Sequence, residues 1–577
     1  MSSWMSKIKL LILICLLLLL VPTVYAQNEI ITLNPFLIPF YTLNSLIRML
    51  IAFLISLAFA ITYGIIAARK ARAEKMLIPI LDVLQSVPIL GFFPVVVFFF
   101  IALFGGSWLG VEFAAIFLIF TSMAWNLTFA VYEQVSSIPK DIEEASESFG
   151  VKGWTKIRRL YLPASVPKLV YNGIMSWAGG WYFLVAAEII SLGSKTYTLA
   201  GIGSFLANAT YRGDFGNAFL GLGALITTIL LIDIFIWRPL EAYANRFKYD
   251  YVSAIEPSKE FAFPLSRLTS FLVRYPRPLI HTLSGKIVTI FSNAFSIAGN
   301  FFAKVYSKLI ENIIVTKIFS YSVVLVLFSV FAYGLALLIL EQGPLFIESF
   351  RLLFVENETA QLVFSMPSAI ILSMARLSVA YLIAVAWTLP VAIKISKSPR
   401  LFNSLMPLFQ TFAAIPAVAF FPLIFVLLIG LPYGQEFASI LLILTGMQWY
   451  LLFNLIGGVK LIPGDIEEVA KTFNVKGTVY WRKFLLPSIY PSLVTGSITG
   501  WGGGWNALIV SEYIMFSGKI YSVLGIGALL DIAAYELGNV ALILLCIFAM
   551  IGVIFTINRL VWRRLYRIII ERYRIEY

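Results

Sequence analysis

Long apolar runs separated by short polar segments recur along the whole chain. Leu46–Ala68, Leu77–Phe104, Phe113–Tyr132, Val166–Leu192 and Asn217–Leu240 form one set, preceded by a shorter run at Leu10–Val21. A second set comprises Phe319–Leu340, Ala369–Ile393, Leu405–Ile429, Phe437–Gly458, Ser492–Phe516 and Val540–Leu560. Several of these runs approach or exceed the roughly 20 residues with which a helix crosses a bilayer. Lipid offers the backbone no hydrogen-bond partner, so each run is expected to be helical. A β-barrel would instead need alternating segments of about ten residues, and runs such as Val323–Leu340 do not alternate. The pattern predicts an all-α polytopic membrane protein with about 12 transmembrane helices, six in each half.

The polar positions are duplicated as well. Ile138–Pro163 recurs 324 residues later as Ile462–Pro487, with 13 of 26 positions identical and no gap. Trp125, Trp177, Trp181 and Glu188 correspond to Trp449, Trp501, Trp505 and Glu512 at the same offset. Arg48, Pro79, Pro88 and Pro94 correspond to Arg376, Pro407, Pro416 and Pro422 at an offset of 328. An even number of spans per half gives a parallel repeat, with a pseudo-two-fold axis along the membrane normal and a pathway between the halves. The expected division is residues 1–240, a basic connector over 241–318, and residues 319–577. Within the connector, Ser284–Ile314 reads equally as an amphipathic interfacial helix or as a tether. The leading run before Gln27 reads as a cleaved signal peptide or as a retained first span. Retention is favoured because the second half has its own leading span, Phe319–Leu340.

Composition sharpens this picture. Charged residues make up 13% of the chain against 60% hydrophobic, whereas about 25% charge is typical of soluble domains. The net charge of +13 does not point to nucleic acid. All Lys and Arg except Arg48, Lys195, Arg212, Arg351, Arg376 and Lys519 fall in loops on one side, which is the positive-inside pattern. Both polar repeats are then cytoplasmic, as are both termini if the first span is retained. The only cysteines, Cys15 and Cys546, lie in apolar runs, and the single histidine, His281, lies in the basic connector. There is no HExxH and no cluster of metal ligands, and neither Ser284-Gly285-Lys286 nor Ser517-Gly518-Lys519 has P-loop spacing. No cofactor, metal or ATP site is expected in this chain.

Within the first polar repeat, Pro139 and the acidic Asp141, Glu143 and Glu144 suit a helix N-terminus. Ile142, Ala145 and Phe149 form one apolar stripe, and Gly150 suits the left-handed residue that ends a helix. The second copy offers Ile466, Val469 and Phe473, then Asn474, which adopts that conformation more readily than other side chains. A short amphipathic helix presented twice points to a soluble partner gripped twice.

These residues resemble the EAA loop of bacterial and archaeal ABC importer permeases. The first copy carries Glu144-Ala145-Ser146, Gly150, Leu160 and Leu162-Pro163. The second carries Glu468-Val469-Ala470, Asn474, Phe484 and Leu486-Pro487, departing at the first Ala, the Gly and the Ile of the family pattern. Ser45-Leu46-Ile47-Arg48, Pro88, Pro94, Ala187-Glu188 and Gly201-Ile202-Gly203 look like the nitrate, sulfonate and taurine branch, and Ser511-Glu512 with Gly525-Ile526-Gly527 repeats the last pair. The resemblance implies two fused halves of a type I importer in a prokaryotic plasma membrane. It implies two cytoplasmic ATPase subunits, an external substrate-binding protein and a small anionic substrate. It also assigns ATPase coupling to Glu143, Glu144, Ala145, Phe149, Gly150, Leu162 and Pro163, with Glu467, Glu468, Ala470, Phe473, Asn474, Leu486 and Pro487 in the second copy. The chain would be a transport subunit and not an enzyme.

Charged residues inside spans are candidates for a transport pathway. Glu188 and Glu512 each close a WxxxWxxxxxxE pattern, with Trp177 and Trp181 or Trp501 and Trp505 on the same helix face. Structural pairing of the Glu residues and packing of the Trp residues is the plainer reading. Arg48 and Arg376 would draw an anion to the entrance or, as favoured here, snorkel to the outer interface. The competing function is a secondary transporter with a 6+6 parallel repeat, driven by an ion gradient. The loop Ala67–Arg72 lacks the Gly and Asp expected of one such family.

Overall fold

The computed structural model describes residues 31–244 and 357–573, apart from positions 87, 152, 193–194, 416, 461, 463 and 517–518, together with scattered positions between 329 and 355. The leading run Leu10–Val21, most of the connector and most of Phe319–Leu340 lie outside the described residues.

The first half contains α1 (Ile38–Arg69), α2 (Ala71–Ser86), α3 (Ile89–Leu103), α4 (Trp108–Ser136), α5 (Lys140–Ser148), α6 (Leu162–Ala187), the strands β1 (Ile189–Leu192) and β2 (Lys195–Thr198), α7 (Ile202–Tyr211) and α8 (Phe215–Ile232). The second half repeats the order with α9 (Asn357–Ser396), α10 (Pro399–Ala414), α11 (Phe421–Leu428), α12 (Gly434–Lys460), α13 (Gly464–Thr472), α14 (Leu486–Glu512), β3 (Tyr513–Phe516), β4 (Lys519–Ser522), α15 (Ile526–Asp531) and α16 (Val540–Ile557). Both α8 and α16 continue through a wide π turn, Asp233–Trp237 and Asn558–Trp562, into a further helical segment. Six of the described helices are long and apolar enough to cross a membrane.

Two expectations are corrected. The spans over Leu77–Phe104 and Leu405–Ile429 are each broken, into α2 with α3 and into α10 with α11. The first break falls at Pro88, which lacks the N–H that would carry the helix through and disfavours α geometry in the residue before it, and the second falls between Ala414 and Ala417. The spans Val166–Leu192 and Ser492–Phe516 end earlier, at Ala187 and Glu512, and their last residues form antiparallel hairpins, with Ile189 opposite Thr198 and Tyr513 opposite Ser522.

Within each half the middle helices pack alike, α1 and α6 against α4, and α9 and α14 against α12. Between halves the broken spans are exchanged. Ile89, Leu90, Phe93 and Val97 of α3 join a core with Trp505, Leu508 and Ile509 of α14 and Ile547 and Met550 of α16. Reciprocally, Ile415 and Ala419 beyond α10 are buried in the core built by α6 and its neighbours. This exchange unites the halves and leaves the polar repeats at one end and the hairpins at the other.

Candidate functional site

Just beyond each broken span lies a buried ionic lock. In the first half Arg48 and Glu188 are 2% and 0% exposed. Arg48 donates to Glu112 through Nε (2.8 Å) and Nη2 (2.7 Å), and to Glu188 Oε1 (2.8 Å) and the Ala200 carbonyl (3.0 Å) through Nη1. Glu188 also accepts from Ser45 Oγ (2.5 Å) and from the backbone N–H groups of Gly203 (2.7 Å) and Ser204 (3.2 Å). The Ile202 N–H donates to Ser45 Oγ at 2.9 Å. The first turn of α7, whose N–H groups have no partner inside the helix, is thereby satisfied by a carboxylate suited to the positive end of the helix dipole. The second half repeats the lock. Arg376 donates to Glu436 (2.5 and 2.8 Å) and to Glu512 (2.7 Å), Ser373 Oγ donates to Glu512 (2.6 Å), and Gly527 N–H does so at 2.9 Å.

This arrangement gives Gly201-Ile202-Gly203 a physical reason. A Cβ on Gly201 would overlap the Glu188 carboxylate, and one on Gly525 would overlap that of Glu512. The backbone at Gly201 is extended, so the constraint is close approach. The expectation that Arg48 and Arg376 snorkel to an interface is corrected. In a low-dielectric interior a guanidinium is stable where carboxylates surround it, and here two do. Glu112 and Glu436, which complete the locks, were not among the candidate residues. Their correspondence at the 324-residue offset is the signal that would have found them.

The tryptophans divide differently. Trp177 packs edge-on against Phe53 (5.5 Å between ring centroids) and Trp237 (6.0 Å), and Trp501 packs likewise against Tyr381 and Trp562. Trp181 and Trp505 are fully buried. A cavity of about 360 Å³ lies between the halves, bordered by Trp177, Tyr182, Gln410, Trp449, Tyr450 and Asn506. Trp181 borders it too, whereas Trp501, Trp505 and the lock residues Arg48, Glu112, Glu188, Arg376, Glu436 and Glu512 do not.

Asn506 borders the end of this cavity nearer the hairpins. Its Oδ1 accepts the Ile89 N–H (2.9 Å), an orphan donor at the start of α3, so one half caps a helix of the other. Its carbonyl accepts Tyr182 Oη at 3.1 Å. Tyr182 and Asn506 occupy equivalent positions of the repeat, so their contact marks the pseudo-two-fold axis. Toward the hairpins from this pair, α3 and α14 are packed densely.

At the other end stand α5 and α13. Pro139 precedes α5, and Asp141 and Glu143 occupy its first turn. Gly150 has φ +69° and Asn474 φ +52°. Val151 N–H returns to Ser146 O and Val475 N–H to Ala470 O, each at 2.9 Å, closing both helices in the Schellman manner. Phe149 and Phe473 are 85% and 77% exposed, and Glu144 and Glu468 are also exposed. Ala145 is exposed, while Ala470 is buried. The side chain of Glu467 lies outside the described residues. Leu162 and Pro163 open α6, and Leu486 and Pro487 open α14, so each turn leads, through a short helical segment and a π turn (Ile157–Tyr161 and Tyr480–Leu485), into the helix that ends at a lock. Glu143 pairs with Arg69 at the end of α1 and accepts from Tyr161 Oη at 3.3 Å. Lys397, the counterpart of Arg69, instead donates to Tyr480 Oη at 2.8 Å.

The sequence profile of the binding-protein-dependent transport system inner membrane component matches twice, over residues 60–237 and 380–575. The chain belongs to this family. Each matched segment contains one polar repeat, so the family unit occurs twice in a single chain. A 142-residue stretch, 25% of the chain, is 30% identical to half of the nitrate import permease protein NrtB of Leptolyngbya laminosa. A 176-residue stretch, 30% of the chain, is 30% identical to 59% of the bicarbonate transport system permease protein CmpB of Synechocystis. A putative ABC transporter permease protein of Methanocaldococcus jannaschii is 31% identical over 187 residues, 32% of this chain and 66% of that protein. The chain spans about half the length of the first of these relatives.

Proposed function

We propose that the chain is the transmembrane permease of an ATP-driven importer, passing a small anion of the nitrate, bicarbonate or sulfonate kind between its two halves. The observation that carries this reading is the pair of solvent-exposed helices, α5 and α13, each closed by a left-handed turn and joined to a helix that borders the halves' interface. An exposed phenylalanine at the end of each is an anchor for a groove in a partner, and two such anchors fit two copies of an ATPase subunit. That end is the cytoplasmic one, by the distribution of positive charge. The hairpin end then faces outward, toward a substrate-binding protein. The cavity is the pathway, held shut on the outside by Asn506. Its middle offers hydroxyl and amide groups rather than a free cation, since Arg238 at its edge is paired with Asp233 at 3.0 Å. Weak, neutral donors let a singly charged ion enter without being trapped.

The test is uptake into proteoliposomes by the chain assembled with its ATPase. Uptake should require ATP and should fall, together with ATPase recovery, when Phe149 and Phe473 are changed to Asp. Uptake that survives ATP depletion and collapses with an ion gradient would establish the secondary-transporter alternative.

A further inference from the structure

The two halves end differently where α8 and α16 leave the bundle. At an offset of 325 residues Trp237 corresponds to Trp562 and Arg238 to Arg563, and both tryptophans are buried. Two acids of the first half have no acidic counterpart. Asp233, the partner of Arg238, is replaced by Asn558, and Glu241 by Tyr566. The second half carries Arg559, Arg563, Arg564 and Arg567 within nine residues, all exposed. Among the described residues none of these four forms an ion pair. Loss of both acids together with a gain of arginine exceeds what keeping a loop on the positive side requires.

Depth and shape identify the occupant. Counting about 1.5 Å per residue from Val540, Arg559 lies about 28 Å and Arg567 about 40 Å along the helix. A hydrocarbon core of roughly 30 Å therefore ends among these arginines, at the level of lipid phosphates. Trp562 turns inward against Tyr381 and Trp501, while Leu560, Val561, Leu565 and Ile568 are exposed alongside the arginines. An apolar flank beside forked guanidinium donors matches an acyl chain beside a phosphate.

We propose that this surface binds an anionic phospholipid and that the second half alone carries such a site. The proposal needs only that α16 crosses a bilayer, and it stands or falls independently of the import reading. The full chain, purified in detergent, is titrated with fluorescently labelled phosphatidylglycerol and, separately, phosphatidylcholine. The unmodified chain should prefer phosphatidylglycerol. Each arginine at a membrane surface contributes about fivefold, so R563Q/R567Q should lose about 25-fold of that preference. R72Q/K75Q, which removes two exposed cations from the start of α2, should lose less than about twofold. Equal losses in the two variants would reduce the effect to bulk charge and overturn the site, as would an unmodified chain with no preference. Displacement by inorganic phosphate at concentrations comparable to the lipid would make the ligand a soluble phosphate instead. Unchanged lipid preference in R563Q/R567Q with loss of the co-expressed ATPase would assign the surface to the protein partner.

Discussion

The two ionic locks share a plan but not an environment. In the first, Glu112 and Glu188 are 7% and 0% exposed, and Arg48 is sealed between them. In the second, Glu436 is 41% exposed, and a further buried carboxylate, Asp531, lies within electrostatic reach of Glu512 where the first half has Ala207. The two polar repeats differ in the same sense. Glu143 is held by Arg69 and Tyr161, whereas the counterpart of Tyr161 is Leu485 and that of Arg69 is bound to Tyr480. A duplicated framework therefore tolerates a tight copy and a looser one, and the solvent around the second Arg–Glu pair weakens what the same atoms contribute.

The largest effect should come from breaking the tight lock. Glu112→Ala leaves Arg48 buried with one carboxylate fewer and is expected to destabilise by about 3–5 kcal/mol. Glu436→Ala, at a half-exposed position, should cost no more than about 1 kcal/mol. Apparent melting temperatures of the purified variants measure the difference, and equal shifts would erase the distinction between the locks. Next comes the pair on the axis. Asn506→Ala removes the cap on α3, worth about 1 kcal/mol, and should open the cavity toward the hairpins. A cysteine at Gly179, which borders the cavity with no atom within 4 Å of its added Cβ, should then react faster with a membrane-impermeant maleimide applied from the hairpin side. Unchanged labelling would mean that Asn506 is not the closure.

Smaller effects separate the two turns. Gly150→Val places a β-branched residue at φ +69° with no neighbouring atom to blame, so the strain is that of the left-handed backbone alone, about 1–2 kcal/mol. Asn474→Gly should be tolerated. Equal ATPase recovery for Gly150→Val and the unmodified chain would remove the turn from the coupling account. The smallest difference concerns the caps of α8 and α16, Asp214 on Asn217 N–H (3.1 Å) and Asn539 on Leu542 N–H (3.0 Å). Hydrogen bonds from Asn217 hold the Asp214 carboxyl below its ordinary range. Its contribution is complete above the pKa of the unfolded chain and fades as pH falls through the lower, folded value, whereas Asn539 does not titrate. Acidification should therefore narrow the stability gap between the unmodified chain and Asp214→Ala, and leave that for Asn539→Ala unchanged.

What the sequence made legible follows from local chemistry. The left-handed turn needed only Gly150 and Asn474 at one position of an amphipathic helix, and both adopt it. The broken spans were marked by paired prolines, although apolar runs on either side concealed the interruptions at Pro88 and beyond Ala414. The hairpins were written in Ile-Ile-Ser-Leu and Lys-Thr-Tyr-Thr on either side of Gly-Ser, a strand and turn signature masked by continuous hydropathy with the preceding helix. The locks were not legible from periodicity, because Arg48 meets partners 64 and 140 residues away. Only the coincidence of two acids across the repeat pointed there. The cavity was less legible still, since Tyr182 and Asn506 differ between the halves and no repeat comparison draws attention to them.

That difference has a consequence for how such a protein changes over generations. In a complex of two identical subunits, a residue on the symmetry axis meets its own copy, so every substitution there is made twice and Tyr182 would have to face another tyrosine. Two halves encoded in one reading frame escape this rule. Tyr182 can be kept for its hydroxyl while its opposite number becomes an asparagine that reaches the start of α3, and either can drift without dragging the other along.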